Sequence, residues 1–219
     1  MRQKPDVKII QPPENIGEVI FVDELARRDR FGNELKIIFA TEALSRFGIV
    51  QDYKGALDSQ DFVRFMAHAR CVLAPMHRAN RTVIVRTDGA SPHTSKSTVQ
   101  ELEKLGLKVE IYESGTRSKN CIPEHDSRCA ILSKFLNTAM QETRFSTQQA
   151  VNWAILNYNT SITNMNWSPA EIFNNRKISN QESLNISTKD LKARILKNRE
   201  KSRELTPVSY THLTLPTKA

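Results

Sequence analysis

Short apolar runs separated by polar turns characterise the first part of the chain. Residues 19–22 form one such run, and it ends at Asp23. A second apolar run, 35–40, follows the turn signal Gly32-Asn33. Because short apolar runs are typical of buried strands and a glycine-containing turn joins these two, the pattern predicts a β-hairpin. A third strand is predicted over 47–53.

A helix and a fourth strand are predicted next. Ser59 is a suitable N-cap for a helix over 60–73, whose apolar residues recur along one face at helical spacing. Residues 81–88, with the apolar centre 83–85, are predicted to form the fourth strand, and this strand also ends in an aspartate, Asp88. The spacing therefore predicts a helix that connects two strands of one sheet.

Helices alternate with one more strand in the remainder of the chain. Ser97 begins a helix that Gly106 ends, since glycine readily adopts the left-handed conformation found just after a helix. The further predicted elements are a strand over 107–112 and helices over 124–142, 146–158 and 169–175. Before the short last helix, the order β-β-β-α-β-α-β-α-α predicts an α/β fold, a mixed five-stranded sheet flanked by helices.

The two ends of the chain depart from this pattern. Residues 1–16 contain several prolines and no hydrophobic period, and are expected to be an extended lead-in or linker. The core is expected over 17–177, followed by a basic helical extension over 178–206 that contains Leu191 and Ile195. We interpret the extension as a solvated helix, with a linker or nucleic-acid-contacting helix as the alternative.

The last segment of the chain has a separate origin in our interpretation. Residues 207–217 match the translation of a sequencing-adapter DNA at eleven consecutive positions. We therefore expect 207–219 to be an artefact and exclude it from fold and function, as a tag is excluded. The natural C-terminus is accordingly expected to be missing.

Composition narrows the class of protein. With 39% hydrophobic and 26% charged residues among 219, the chain has the composition of a globular domain with a substantial core. The formal net charge of +8 favours a polyanionic partner, because Lys and Arg that neutralise phosphates release condensed counterions. The sequence contains no apolar run of membrane-spanning length and no evident secretory signal, so no membrane partner is expected.

The cysteines indicate an intracellular protein. Cys71, Cys121 and Cys129 are odd in number and lack CxxC spacing, which favours reduced thiols over a disulfide framework. His125 lies between the last two of them, but the spacing fits no common zinc pattern. We therefore expect no zinc site at Cys121, His125 and Cys129.

Three carboxylates are candidates for a metal site. Asp23 and Asp88 each follow an apolar run, and the carboxyl ends of parallel neighbouring strands open at the same edge of a sheet. Glu124 begins a helix, with 35 residues between it and Asp88. Adjacent carboxylates repel one another unless a cation binds, and oxygen ligands suit Mg²⁺ or Mn²⁺. Asp126 is the alternative third ligand. For Asp23 and Asp88 taken one at a time, a structural interpretation is open, because a single aspartate at a strand end is more often a turn residue.

Several segments resemble the catalytic cores of retroviral and LTR-retrotransposon integrases, those of the gypsy type in particular. In this chain, the segment VIVRTDGASPHTS resembles the strand and turn around the second catalytic aspartate of integrases. The segment SKNCIPEHDSRCA resembles their mobile loop and the start of their catalytic helix. The opening hairpin is similar to VIFVDELARRDRFGNELKIIFATEALSRF, and the end of such cores to NWSPAEIFNNR. The resemblance covers about residues 17–177 and implies an RNase H-like fold.

The resemblance also implies which residues act. Asp23, Asp88 and Glu124 would be the catalytic residues, holding two Mg²⁺ or Mn²⁺ ions for in-line displacement at a phosphate. The residues that the resemblance implies as DNA contacts are Lys119, Asn120, Arg128 and Ser95. The chain departs from the family pattern after Asp88, where Gly-Ala stands in place of the usual Asn-Gly.

The function implied is metal-dependent polynucleotidyl transfer: 3′-end processing and strand transfer of retroelement DNA into target DNA. The partners would be element ends and target DNA, with self-association and a nuclear location during integration. Two alternatives stay open. One is another RNase H-like nuclease or DDE transposase, and the other is a catalytically inactive DNA-binding remnant. The family's N-terminal zinc domain has no counterpart here. The second alternative therefore includes a core that is inactive as this fragment by itself.

Three aromatic residues receive structural interpretations. His93 lies close to Asp88 in sequence and is interpreted as an exposed turn histidine, with a DNA contact as the alternative. Trp153 and Trp167 are interpreted as packing residues. None of the three is assigned a direct part in catalysis.

Overall fold

The computed structural model describes residues 12–28, 32–75, 81–88, 91–112, 123–142, 144–163 and 165–204. The strands in this part of the chain are β1 (Val19–Arg28), β2 (Glu34–Glu42), β3 (Gly48–Tyr53), β4 (Val83–Asp88) and β5 (Leu107–Tyr112). The helices are α1 (Ser59–Leu73), α2 (Ser91–Thr94), α3 (Lys96–Lys104), α4 (Pro123–Gln141), α5 (Thr147–Thr160), α6 (Pro169–Asn174) and α7 (Thr188–Glu204).

The five strands form one mixed sheet in the order β3-β2-β1-β4-β5. The first three strands pair antiparallel, as the predicted hairpin and third strand require. β4 pairs parallel with β1 and with β5, through the helical crossovers that the sequence predicts. The predicted fold class, an α/β fold with a mixed five-stranded sheet flanked by helices, is therefore confirmed.

Alternate residues of the central strands supply two separate cores, because successive side chains of a strand point to opposite faces. One face carries Ile20 and Val22 of β1, which pack with apolar residues of α1 and α3. The other face carries Leu25 of β1 and Phe39 of β2, which pack with α4 and α5. Asp23 has the parity of Leu25, so it lies on the face that α4 covers.

The predicted helix signals are confirmed with small shifts. The N-cap of α1 is Asp58 rather than Ser59, and its side chain accepts a hydrogen bond from the Asp61 amide. α3 begins one residue earlier than predicted, at Lys96. Gly106 follows α3 with φ +70°, a left-handed conformation that glycine adopts without the steric penalty of a Cβ atom.

The C-terminal helix α7 packs on the body of the protein. Leu191 and Ile195 are 2% and 1% exposed and form an apolar cluster with residues that include Leu44 beyond the end of β2. Arg194 lies over the Trp167 ring at 4.4 Å and donates a hydrogen bond to the Met165 carbonyl. The extension is therefore solvated on one face only, which the sequence interpretation did not foresee.

Two further sequence expectations concern the ends and the surface. The predicted adapter segment, 207–219, lies outside the described residues. Among the residues that the structure describes, no helix combines the length and apolar character needed to cross a membrane.

Candidate active site

Asp23 lies in the middle of β1, not at its end as the sequence analysis expected. β1 continues to Arg28 because its later residues keep pairing with β2, where Asp23 faces Phe39. The parallel pairing with β4 ends at Phe21 and Arg86, and Asp23 and Asp88 each lie two residues beyond that pair. The two aspartates are consequently adjacent at the point where β4 ends, on the same face of the sheet.

The carboxyl group of Asp23 is held in an environment that disfavours its charge. Burial raises the pKa of Asp23 above its ordinary value of 3.8, and the nearby charge of Asp88 raises it further. A hydrogen bond from the Glu24 amide to Asp23 Oδ1, 2.8 Å long, acts in the opposite direction on this pKa. The side chain of Asp88 is more open, with 52% of it exposed.

The beginning of α4 covers Asp23. Cys129 Sγ donates to Asp23 Oδ2 at 3.8 Å, and His125 Nε2 lies 3.6 Å from the same sulfur. Burial lowers the pKa of His125 to about 3, and the charge of Arg128 contributes to this shift. Burial likewise raises the pKa of the Cys129 thiol, and the carboxylate of Asp23 adds to the effect. Both side chains are therefore neutral in the absence of a metal.

The two candidates for a third carboxylate both lie in the first turn of α4. Glu124 is helical, but its side chain lies outside the part of the chain that the structure describes. Asp126 is exposed, and its charge raises the pKa of Asp23 and of Cys129. Asp126 also precedes Cys129 by three residues, which places both on neighbouring positions of one helix face.

Arg128 does not lie where a DNA-contacting residue is expected. Its side chain is 2% exposed and donates hydrogen bonds to Thr41 Oγ1 and to the carbonyls of Glu42 and Ala43. The guanidinium carbon lies 5.3 Å from the centre of the Phe21 ring. Because its charged group is directed at the end of β2 inside the protein, Arg128 is corrected from a phosphate contact to an interior anchor of α4.

His93 is buried, in contrast to the exposed turn histidine that the sequence suggested. Its side chain is 1% exposed and stacks on Phe62 at 4.4 Å. Nδ1 lies 2.7 Å from Thr87 Oγ1 and 3.2 Å from Asp88 Oδ1. Since a carboxylate only accepts hydrogen bonds, Nδ1–H is the donor to Asp88.

A second carboxylate lies on the other side of this histidine. Nε2 of His93 is 3.1 Å from Glu24 Oε1, and within the described part of the chain this nitrogen makes no hydrogen bond. Tyr53 donates a short hydrogen bond to the other oxygen of Glu24. Burial and the contact with Glu24 raise the pKa of Tyr53, so this hydroxyl stays protonated. Sequence reasoning missed this chain of contacts, because its members come from β1, β3 and α2.

Besides Arg128, the predicted DNA contacts are Ser95, Lys119 and Asn120. Ser95 is the N-cap of α3, where its hydroxyl accepts a hydrogen bond from the Thr98 amide at 3.2 Å. This contact gives Ser95 a structural role in the helix. Lys119 and Asn120 lie outside the described residues.

The described carboxylates fit a hard divalent cation. Asp23 is largely buried and lies next to Asp88, so the ionised pair is costly until a cation neutralises it. Carboxylate oxygens are the ligands that Mg²⁺ prefers, and the side chain of Asp88 is 52% exposed, so solvent reaches this carboxylate.

The fold is similar to those of retroviral integrase catalytic cores. A chain of the simian T-cell lymphotropic virus intasome, in complex with the PP2A regulatory subunit B56 gamma, matches with a TM-score of 0.63 at 13% identity over 81% of this chain and 61% of that chain. The HTLV-2 integrase catalytic core domain in complex with magnesium, in its dimeric form, matches with a TM-score of 0.55 at 12% identity. That match covers 76% of this chain and 98% of the HTLV-2 chain.

The trimeric form of the HTLV-2 core, also in complex with magnesium, gives a TM-score of 0.56 at 11% identity over 76% of this chain and 99% of that chain. At these identities the similarity concerns the fold. This chain spans about three fifths of the intasome chain that it matches. No protein-family profile matches the sequence, and no curated protein matches it.

Proposed function

We propose that this chain is the catalytic core of a retroelement integrase, which performs metal-dependent 3′-end processing and strand transfer of DNA. One observation carries the proposal. Asp23 and Asp88 lie side by side on β1 and β4, and α4 covers Asp23, in a fold similar to those of retroviral integrase cores. The gypsy-type relationship rests on the sequence resemblance alone.

Asp23, Asp88 and one carboxylate of α4 would hold two Mg²⁺ or Mn²⁺ ions. Glu124 is the proposed third ligand because of its spacing from Asp88, and Asp126 is the rival because its charge acts on Asp23. Bound Mg²⁺ supplies activation of the attacking oxygen and stabilisation of the leaving oxygen. Asp23 and Asp88 fix the position of this chemistry at the edge of β4, and the hydrogen bond from His93 orients the carboxylate of Asp88.

Several parts of the proposal extend beyond the catalytic residues. DNA ends and target DNA are the proposed partners, with Lys119 and Asn120 as the proposed phosphate contacts. The HTLV-2 core occurs in dimeric and trimeric forms, and self-association of this chain is proposed by analogy. A nuclear location during integration follows from the same function.

A strand-transfer assay with an oligonucleotide that carries the element end tests the function. The wild-type chain is expected to join this end to target DNA in the presence of Mg²⁺, and Asp88→Asn to abolish the joining. Asp52→Asn, on the edge strand β3, is the matched control and is expected to keep the activity. Cleavage of DNA without any joining would favour a nuclease. Binding of DNA with neither reaction would favour an inactive remnant.

Two single variants identify the third carboxylate in the same assay. Loss of joining in Glu124→Gln with activity kept in Asp126→Asn supports the spacing argument. The reverse result assigns the role to Asp126. Because the two residues lie in one helical turn, a general effect on folding would change both variants alike, and thermal unfolding of each detects it.

A further inference from the structure

One cluster at the candidate site contains ligands of a kind that Mg²⁺ does not prefer. Asp23, His125 and Cys129 each offer one ligand atom, and these three atoms lie within 4.8 Å of one another. An imidazole nitrogen and a sulfur suit Zn²⁺ and similar ions, whereas Mg²⁺ selects oxygen. The cluster therefore differs in chemistry from the pair of Asp23 and Asp88, although it shares Asp23 with it.

The two separations from the Cys129 sulfur match tetrahedral coordination. With a Zn–S bond of about 2.3 Å and Zn–N or Zn–O bonds of about 2.1 Å, tetrahedral angles place sulfur about 3.6 Å from the other ligand atoms. Cys129 Sγ is 3.6 Å from His125 Nε2 and 3.8 Å from Asp23 Oδ2. The two separations that involve sulfur are thus already at the required spacing. The ligand atoms of Asp23 and His125 lie within 4.8 Å of each other, and tetrahedral coordination brings such a pair to about 3.4 Å.

The surroundings hold the histidine as a ligand. Arg128 donates to Thr41 Oγ1 at 3.1 Å, and His125 Nδ1 lies 3.4 Å from the same oxygen. The tautomer of His125 that carries its proton on Nδ1 directs that proton at this oxygen and leaves the lone pair on Nε2, the nitrogen that faces Cys129. The ring is also packed parallel to Phe21 at 5.4 Å and to Phe39 at 6.2 Å, which fixes its orientation.

We propose that Asp23, His125 and Cys129 bind a thiophilic divalent cation of the Zn²⁺ class, and that this cation competes with Mg²⁺ for Asp23. Three protein ligands leave a fourth position for water. When the bond from Cys129 Sγ to the cation forms, the thiol proton passes to solvent. Sequence spacing argued against a zinc site at Cys121, His125 and Cys129. The structure instead supplies Asp23, from a distant strand, as the third ligand.

Absorption spectroscopy with Co²⁺ tests the site directly. The test protein carries Cys71→Ser and Cys121→Ser, so that Cys129 is its only thiol. Titration with Co²⁺ is expected to give a sulfur-to-cobalt charge-transfer band and the visible bands of tetrahedral Co²⁺, at one ion per chain. Addition of Zn²⁺ is expected to displace Co²⁺ and remove both bands.

Three variants in this background separate the new site from the carboxylate pair. Cys129→Ala is expected to lose the charge-transfer band, and Asp23→Asn to weaken Co²⁺ binding by more than about 100-fold, because a direct ligand costs more than an outer-shell contact. Asp88→Asn, which removes no ligand of the cluster, is expected to keep the band. A charge-transfer band that persists in Cys129→Ala, or its absence from the parent, would overturn the proposal. If Cys129→Ala fails to fold in circular dichroism, the decision rests on Cys129→Ser, which keeps the side-chain volume, removes the sulfur and is expected to lose the band.

Competition with Mg²⁺ is measured in the strand-transfer assay and rests on the proposed function. Zn²⁺ added at constant Mg²⁺ is expected to inhibit the chain that contains Cys129, and Cys129→Ala to require at least about tenfold more Zn²⁺ for the same inhibition. Equal inhibition of the two proteins would contradict competition at this site. Should the chain show no strand transfer at all, the proposed function fails, while the Co²⁺ spectrum still decides whether the metal site exists.

Discussion

His93 connects the candidate site to the apolar core on one face of the sheet. Its Nδ1–H contacts Asp88 while its ring stacks on Phe62, so packing and hydrogen bonding are carried by one side chain. A ligand whose carboxylate is oriented in this way binds metal more tightly than one that must be ordered on binding. This role can be separated from packing, because phenylalanine preserves the ring and removes the nitrogens.

We predict that His93→Phe lowers Mn²⁺ affinity by about 10- to 100-fold, the usual cost of losing an outer-shell hydrogen bond. The loss in the free energy of Mn²⁺ binding is expected to exceed any loss in the free energy of unfolding, because the stacking on Phe62 is kept. His93→Asn, which restores a donor near Nδ1, should recover part of the affinity. His68→Phe, at an exposed position of α1, is the control. Titration calorimetry with Mn²⁺ measures all three, and unchanged affinity in His93→Phe would contradict the role.

Asp23 is predicted to reduce the stability of the metal-free protein. Its pKa is raised above the ordinary 3.8, so the ionised form costs folding free energy at neutral pH. As the pH falls through the raised pKa, the carboxyl group takes up a proton and the cost disappears. Asp23→Asn should therefore raise the melting temperature at pH 7 in the presence of a chelator, with a smaller gain in acid.

Thermal unfolding at several pH values checks the prediction for Asp23. Asp52→Asn on β3 serves as the comparison and should show no such pH-dependent gain. Added Mg²⁺ should stabilise the wild-type protein more than Asp23→Asn, because only the former offers the full carboxylate pair. A melting temperature that falls in Asp23→Asn at neutral pH would show that its hydrogen bonds outweigh the cost of burying its charge.

At the scale of secondary structure, Glu42 fastens the end of β2. This carboxylate is fully buried and accepts hydrogen bonds from three backbone amides, those of Gly17, Leu44 and Ser45. It also accepts from the Ser45 hydroxyl at 2.7 Å. One side chain thereby ties the segment before β1 to the turn after β2.

We predict that Glu42→Ala destabilises the protein by about 3 kcal/mol or more, since each buried amide left without an acceptor costs about 1–3 kcal/mol. Glu34→Ala, at the other end of the same strand, removes a carboxylate that is 53% exposed and should change stability by less than about 0.5 kcal/mol. Urea denaturation of the two variants measures the difference. Equal effects would mean that the turn after β2 does not depend on Glu42.

The strands and helices could be predicted from sequence because hydrophobic period and capping residues are local signals. The end of β1 could not, since the polar residues after Asp23 belong to the strand only through their pairing with β2. Likewise, helical spacing groups Glu124 with Arg128 but does not say which face is buried. The structure directs Arg128 at the end of β2. His93 was misjudged for a similar reason, because Glu24 and Phe62 reach it from distant segments.

Over the whole molecule, the candidate site and the docked helix α7 lie at different parts of the sheet. Asp23 and Asp88 lie where β4 ends, whereas α7 packs on Leu44, beyond the end of β2 and near the beginning of β1. Lys192 of α7 also forms an ion pair with Glu14 in the segment that precedes β1. The basic helix is therefore attached to the body of the fold by apolar contacts and by contacts with the lead-in segment.

The packing of α7 predicts that it unfolds together with the core. Leu191→Ala and Ile195→Ala should each cost about 2–5 kcal/mol, because both side chains are almost completely buried. Lys197→Ala, on the exposed side of the same helix, should cost less than about 0.5 kcal/mol.

A helix that served only as a solvated linker would tolerate all three substitutions alike. Denaturant unfolding monitored by Trp167 fluorescence, in a Trp153→Phe background that leaves Trp167 as the single tryptophan, distinguishes these cases. Arg194 of α7 lies over the Trp167 ring, and its release would change the indole environment. One cooperative transition, shifted by the two apolar substitutions and not by Lys197→Ala, would establish that the basic extension is part of the folded core.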